Sequence, residues 1–182
     1  EKAGIPVQFP FGYGLSYTTF VLSDLKASKD TLDFTNREET VEVRCKVRNT
    51  GMRAGAEVVQ IYVADQTAGV FKAKKELKGF CKVFLQAGEE TEISVTLNKR
   101  AFAHYDVNSG KWEVLSGNYR IMAGASSADN ALSAELPVQG TVDDMGYRDL
   151  PEWYRKPDGK PSATDFEKIY GQEMKPFELE KP

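Results

Sequence analysis

The chain has 182 residues, of which 41% are hydrophobic and 28% are charged. The length suits one domain with an appendage, because domains most often contain about 100–150 residues, and the composition is typical of a globular protein with an apolar core. The formal net charge of −3 gives no electrostatic basis for binding nucleic acid or an anionic membrane. No apolar run approaches the ~20 residues that a membrane-spanning helix needs.

The first segment with a distinctive composition is FPFGYGLSYTTF, from Phe9 to Phe20. It contains too much glycine for a helix and too many large aromatic residues for a free linker. We therefore expect packing of its aromatic residues to hold the segment in place. These residues are Phe9, Phe11, Tyr13 and Tyr17.

Beyond Phe20 the sequence predicts a succession of short strands. From Val41 to Asn49 apolar and charged residues alternate strictly, which is the pattern of a strand with one buried face. Further segments are rich in β-branched and aromatic residues. They predict strands at Ala56–Asp65, Gly79–Leu85, Glu92–Asn98, Trp112–Leu115, Tyr119–Ala123 and Ala134–Gly140.

Turn signals separate these strands, and Asn49-Thr50-Gly51 is predicted to be the turn that ends the first of them. Ser116-Gly117-Asn118 is predicted to be a hairpin turn between two strands, and Pro137 marks the last strand as an edge strand. About seven strands without an intervening helix predict an all-β protein, a β-sandwich of immunoglobulin or fibronectin type III-like kind. The residues that we expect in its core are Val43, Cys45, Val47, Trp112, Tyr119 and Ile121.

The character of the sequence changes after Thr141. A polar stretch containing Pro and Gly is followed by SATDFEKIYGQ, which predicts a short helix near residues 163–170. Ser162 or Thr164 would be its N-cap, and Gly171 would end it. The chain starts without an initiator Met and closes without a recognisable packed element, so we expect it to be part of a longer protein.

No motif in the sequence predicts a catalytic site, a metal site or a cofactor. His104 is the only histidine; its neighbour Asp106 invites a His–Asp pairing, but the two residues could instead lie on the same face of a strand, or Asp106 could cap a turn. The acidic residues are scattered or lie in charge runs that are typical of solvated turns, and no phosphate-binding glycine loop occurs. Cys45 and Cys81 are too few for a disulfide scaffold; we expect two free thiols with Cys45 buried, and a bridge between them is the alternative.

Several segments, in order and spacing, resemble the C-terminal region of the glycoside hydrolase family 3 β-glucosidases. They are FPFGYGLSYTTF at Phe9–Phe20, VRNTGMRAGAEVVQIYV at Val47–Val63, KELKGFCKVFLQAGE at Lys75–Glu89 and WEVLSGNYRIMAGASS at Trp112–Ser127. Together they extend over about 120 residues, which is the size of a sandwich domain. Because several separate motifs recur in the right order, the resemblance is highly specific.

The resemblance implies a three-part organisation of this chain. Residues 1–19 would join it to an upstream α/β domain, residues 20–140 would form the fibronectin type III-like sandwich, and residues 141–182 would be an extension with the short helix. In this family a barrel and the α/β domain carry the catalytic carboxylates of a retaining glycosidase. This segment would then contain no catalytic residue.

The partners that the resemblance implies are the barrel and α/β domains of the same parent chain, with Phe9, Phe11, Tyr13 and Tyr17 packing between domains. The module would stabilise the enzyme and shape the rim of its pocket. Weak self-association through aromatic surface that has lost its partner is also expected. Alternative functions are a structural spacer or an autonomous carbohydrate-binding module, for which the candidate sugar-stacking residues are Tyr105, Trp112, Trp153 and Tyr154.

Overall fold

The computed structural model describes residues 6–67, 72–129, 132–144 and 162–175. Within these ranges no helix has the length and apolar character needed to cross a membrane. The strands are β1 Phe20–Ala27, β2 Leu32–Asp33, β3 Thr40–Asn49, β4 Gly55–Asp65, β5 Glu76–Leu85, β6 Glu90–Asn98, β7 His104–Asp106, β8 Lys111–Glu113, β9 Gly117–Gly124 and β10 Leu132–Gln139. The helices are α1 Lys99–Phe102 and α2 Ala163–Tyr170.

Two sheets form the body of the fold. A three-stranded antiparallel sheet has the order β1-β3-β6, and a five-stranded sheet has the order β2-β10-β9-β4-β5. Side chains from both sheets fill one hydrophobic core. The strand content and this two-layer arrangement confirm the predicted all-β sandwich.

Strict alternation along β3 is reproduced residue by residue. Val41, Val43, Cys45 and Val47 are all fully buried, whereas the charged residues between them reach solvent. β3 is the central strand of its sheet, so both of its edges are hydrogen-bonded and one face is left for water. Tyr119 and Ile121 of β9 are also buried, on the facing sheet.

Trp112 does not lie in the core, and its expected core position was wrong. It is 45% exposed because β8 pairs only with β7, in a two-stranded sheet separate from both main sheets. Val114 and Leu115 follow it and are buried instead. The alternation that pointed Trp112 inward therefore ends at the point where β8 leaves the two main layers.

The predicted hairpin turn at Ser116–Asn118 is also wrong, because Gly117 and Asn118 already belong to β9. Val114 cannot pair with β9, since its N–H is bound by Thr141 Oγ1 at 2.9 Å and its carbonyl accepts from the Thr141 N–H at 2.8 Å. Gly140 permits this close crossing, because a Cβ there would lie 2.1 Å from Val114 O.

The sequence interpretation missed β1. A shift in its register between Ser23 and Lys26 interrupts the alternation, and Asp24 adopts a positive φ of 54° at this irregularity. The predicted edge strand β10 is an edge only in part, because the two-residue β2 pairs with Val138 and Gln139 just beyond Pro137.

The predicted C-terminal helix is present as α2. The Ser162 side chain accepts the N–H of Asp165 at 3.0 Å, and Gly171 ends the helix in the left-handed conformation with φ of 66°. Of the two N-cap candidates, the structure selects Ser162. Trp153 and Tyr154 lie outside the described residues.

Both cysteines are free, and we predict that both remain reduced in the isolated protein. They lie on β3 and β5 in facing sheets. Facing sheets pack about 10 Å apart, whereas a disulfide needs Cα atoms within about 7 Å. Burial, with Cys81 and Glu92 nearby, raises the pKa of the Cys45 thiol to about 11.

Titration with a thiol reagent checks this prediction. It should find two thiols after unfolding without reductant, and slow reaction of Cys45 in the native state. A Cys81→Ser variant should retain one thiol; absence of free thiol in the unfolded wild type would contradict the prediction.

Candidate functional site

The segment from Pro6 to Thr19, which we call the joint, is anchored to the sandwich through its backbone. The N–H of Ser127 donates to Phe11 O at 2.8 Å, and the N–H of Thr50 donates to Thr19 O at 2.8 Å. Between these anchors the chain turns, with the N–H of Tyr13 bound to Pro10 O at 3.0 Å. The joint therefore has a defined path along the domain.

Gly12 lets the joint approach the five-stranded sheet. Its φ is 85°, and a Cβ at this position would lie 2.0 Å from Gln60 Nε2 and 2.9 Å from Ala125 O. Any other residue would strain the backbone and collide with both groups. The glycine content of the joint thus serves close contact with the sandwich.

The aromatic side chains of the joint face away from the sandwich. Their exposed fractions are 69% for Phe9, 68% for Phe11, 61% for Tyr13 and 103% for Tyr17. Phe9 and Tyr13 stack on each other with ring centroids 6.1 Å apart. Side chains of this size usually bury most of their surface, so the joint presents an apolar surface without a cover among the described residues.

Asn49, at the end of β3, ties the joint to the sandwich. Its side-chain amide donates to Arg53 O at 2.7 Å and Leu85 O at 3.0 Å, and its Oδ1 accepts from the Gly51 N–H at 3.0 Å and the Thr18 hydroxyl at 3.0 Å. The residue is completely buried. From the sequence it was read only as a turn residue, and the Asn-Thr-Gly signal gave no sign of this set of bonds.

Trp112 and Tyr105 form a second exposed aromatic site, at β7 and β8. Their rings meet edge to face with centroids 5.5 Å apart. The guanidinium carbon of Arg100 lies 2.8 Å from the Trp112 ring centroid, so one face of the indole is covered. A hollow of about 280 Å³ adjoins the pair and is lined by Glu38, Lys99, Arg100, Ala103 and Trp112.

His104 does not form a catalytic pair with Asp106. Both ring nitrogens of His104 are buried without a hydrogen-bond partner, whereas Asp106 accepts the N–H groups of Asn108 at 3.1 Å and Ser109 at 3.0 Å and so caps a turn. Burial, assisted by the positive charge of Lys72, lowers the pKa of His104. The neutral imidazole is therefore the form that this site favours.

Among the described residues, no group of three or more His, Cys, Asp and Glu side chains is placed to hold a metal ion. Glu57 and Asp129 line a hollow of about 210 Å³ below the joint, and burial raises the pKa of Glu57. A retaining glycosidase uses two carboxyl groups, one of them an ionised nucleophile, and the raised pKa of Glu57 disfavours its ionised form.

Comparison with known proteins identifies the class of domain. Residues 57–127 match the family described as fibronectin type III-like domain. The chain is 45% identical over 142 residues to thermostable beta-glucosidase B of Acetivibrio thermocellus, covering 78% of this chain and 18% of that protein. It is 40% identical over 153 residues to an exo-alpha-(1->6)-L-arabinopyranosidase of Bifidobacterium breve, covering 84% of this chain and 19% of that protein.

Solved structures give the same result. A GH3 beta-glucosidase of Bifidobacterium adolescentis superimposes with a TM-score of 0.68 at 38% identity, over 84% of this chain and 22% of that chain. A beta-glucosidase of Listeria innocua in complex with glucose superimposes with a TM-score of 0.64 at 37% identity, over 74% of this chain and 18% of that chain. The chain thus spans about a fifth of the length of the relatives that it matches.

The chain contains a fibronectin type III-like domain. It corresponds to the C-terminal module of the glycoside hydrolase family 3 β-glucosidases, as the resemblance of its motifs implied.

Proposed function

We propose that this chain is a non-catalytic module of a larger retaining β-glucosidase and that it stabilises the catalytic domains of that enzyme. The single observation that carries the proposal is the joint: a backbone fixed to the sandwich with four large aromatic side chains turned outward. Phe9, Phe11, Tyr13 and Tyr17 would pack on the upstream domain. Burying them would remove a large apolar area from water.

The proposed organisation has three parts. Residues 1–19 form the joint region, residues 20–140 form the sandwich, and residues 141–182 form an extension that contains α2. The parent would hydrolyse terminal β-glucosidic bonds with carboxylates that lie outside this chain. Modules of about 40% identity occur in relatives named for different sugars, which supports placing sugar selection in the other domains.

The isolated chain is expected not to hydrolyse aryl β-glucosides, because the catalytic carboxylates of the parent would lie on its barrel and α/β domains. The measurement is release of nitrophenol by the purified chain, beside a mock-purified control and the full-length parent. The parent should turn over the substrate, and the chain should match the mock. Turnover by the chain above the mock would refute its non-catalytic role, and an inactive parent would refute the assigned activity.

A carbohydrate-binding module is the second candidate, and the exposure of Trp112 and Tyr105 is the observation in its favour. Against it, Arg100 already covers one face of the indole, and sugars stack on open ring faces. Binding of the isolated chain to soluble or insoluble glucans, lost in Trp112→Ala without a change in melting temperature, would replace our proposal with this one.

A further inference from the structure

Strand β4 is buried on both of its faces. Val59, Ile61 and Val63 point into the core, while Gln60 and Tyr62 point to the opposite side of the sheet and are still 2% and 4% exposed. The joint covers Gln60 through Gly12, and the ammonium group of Lys75 lies 5.6 Å from the centroid of the Tyr62 ring. The joint and Lys75 therefore cover part of the outer side of the five-stranded sheet.

The neighbouring strand β5 also carries apolar side chains on this outer side, but they are exposed to solvent. Cys81, Val83 and Leu85 face the core, whereas Phe80 and Phe84 alternate with them and are 67% and 64% exposed. Leu77 is exposed as well, and Lys82 is the charged residue between the two phenylalanines. We call Leu77, Phe80, Lys82 and Phe84 the outer β5 surface.

The outer β5 surface adjoins the joint. Phe80 pairs directly with Gln60 across the β4–β5 ladder, and Gln60 is the residue against which Gly12 packs. Side chains directly opposite each other in an antiparallel pair lie about 5 Å apart at Cβ. The aromatic residues of the joint and those of β5 therefore border one continuous region of the sheet.

We propose that the outer β5 surface and the joint together form one docking surface for the domain that precedes the joint in the parent chain. This inference rests on the proposed function. The joint leads toward that domain and already lies on this side of the sheet. In the matched relatives, the part of the protein outside the match is about four times as long as the matched part. A contiguous apolar region of this kind on a folded domain marks a contact with another protein surface.

The register of β5 makes the inference specific. A strand with one face in water alternates apolar and polar residues, whereas β5 carries Phe at two of three successive outward positions. β5 is also the edge strand of its sheet, where long exposed apolar surface invites aggregation unless it is covered. The upstream domain is covalently attached to this module, so its effective concentration at the outer β5 surface is high. It is therefore the partner that we expect to cover this surface.

The test is the double variant Phe80→Ser/Phe84→Ser in the full-length parent, followed by scanning calorimetry and limited proteolysis. The control is Tyr105→Ser, which removes one exposed aromatic residue on the separate β7–β8 sheet and is compared with each single Phe→Ser variant as well as with the double variant. The same variants are also made in the isolated chain. There Phe80 and Phe84 are exposed, so its melting temperature should stay within about 2 °C of the wild type.

In the parent, the double variant should separate the transition of this module from the main transition and increase proteolytic cleavage near the joint, whereas Tyr105→Ser should do neither. If the double variant changes neither the calorimetric transitions nor the proteolytic cleavage of the parent, the proposal is overturned. Equal destabilisation of the isolated chain would also overturn it, because the two residues would then belong to the module's own core. Loss of a dimer of the isolated chain without an effect on the parent would assign the surface to a second copy instead. Calorimetry needs no substrate, so failure of the β-glucosidase assignment would be seen separately in the activity assay.

Discussion

Replacing Tyr119 by alanine is expected to lower the free energy of unfolding by about 3–5 kcal/mol. Tyr119 is completely buried, and its ring meets Phe102 edge to face with centroids 5.5 Å apart. Phe102 in turn packs on Phe34 at 5.7 Å, so the substitution opens a cavity in a group of three aromatic rings. Chemical denaturation of the isolated chain, followed by tryptophan or Tyr fluorescence and far-UV circular dichroism, measures the loss.

Two further variants separate the contributions of the Tyr119 ring and its hydroxyl. Tyr119→Phe keeps the ring but removes the hydroxyl that donates to Leu115 O at 2.9 Å, so the expected loss is about 1–2 kcal/mol. Tyr105→Ala removes an exposed ring and should cost less than about 1 kcal/mol. A loss for Tyr119→Ala as small as that for Tyr105→Ala would show that Tyr119 does not support the core.

Replacing Asn49 by alanine is expected to cost about 3 kcal/mol, although the residue is small and polar. The substitution leaves the carbonyls of Arg53 and Leu85 and the N–H of Gly51 without their partner, and the bond to Leu85 O is fully buried. It also removes the partner of the Thr18 hydroxyl, one of the bonds that hold the end of the joint. Denaturation measures the overall loss, and amide hydrogen exchange at Gly51 and Thr50 reports the local one.

Asn98→Ala is the matched control for Asn49→Ala. Asn98 is an exposed asparagine whose side chain caps α1 by accepting the N–H of Arg100 at 3.0 Å, and its loss should cost about 1 kcal/mol. Equal effects of the two substitutions would mean that the four bonds of Asn49 add nothing beyond a single cap, and the assigned role of Asn49 would be wrong.

The strands whose one buried face repeats every second residue could be predicted from sequence. β3 and β6 have this pattern, and the structure pairs them over their full length, from Thr40 with Asn98 to Arg48 with Glu90. Helix α2 was equally predictable, since Ser162 and Gly171 act through the backbone of their own few residues. In these elements the decisive interactions lie within a few residues of chain or follow directly from strand periodicity.

Elements that depend on their neighbours in space were not predictable in the same way. Trp112 sits in an alternating segment, but β8 leaves the main sheets because Val114 bonds to Thr141, a residue far along the chain. Asn49 reads as a turn residue until β5 and the joint bring Leu85 and Thr18 to it. The exposed position of Trp112 and the buried bonds of Asn49 both depend on contacts between segments that lie far apart in the sequence.

The sequence by itself determined the all-β class, the alternation that fills the core, the short C-terminal helix and the relationship to a known family of modules. The tertiary structure alone decided which apolar faces are covered. Alternation shows that Phe80 and Cys81 point to opposite sides of β5, but only the packing of the second sheet assigns Cys81 to the core and leaves Phe80 outside. Burial is a property of the layers that close over a strand, and those layers are built from segments that lie far away in the chain.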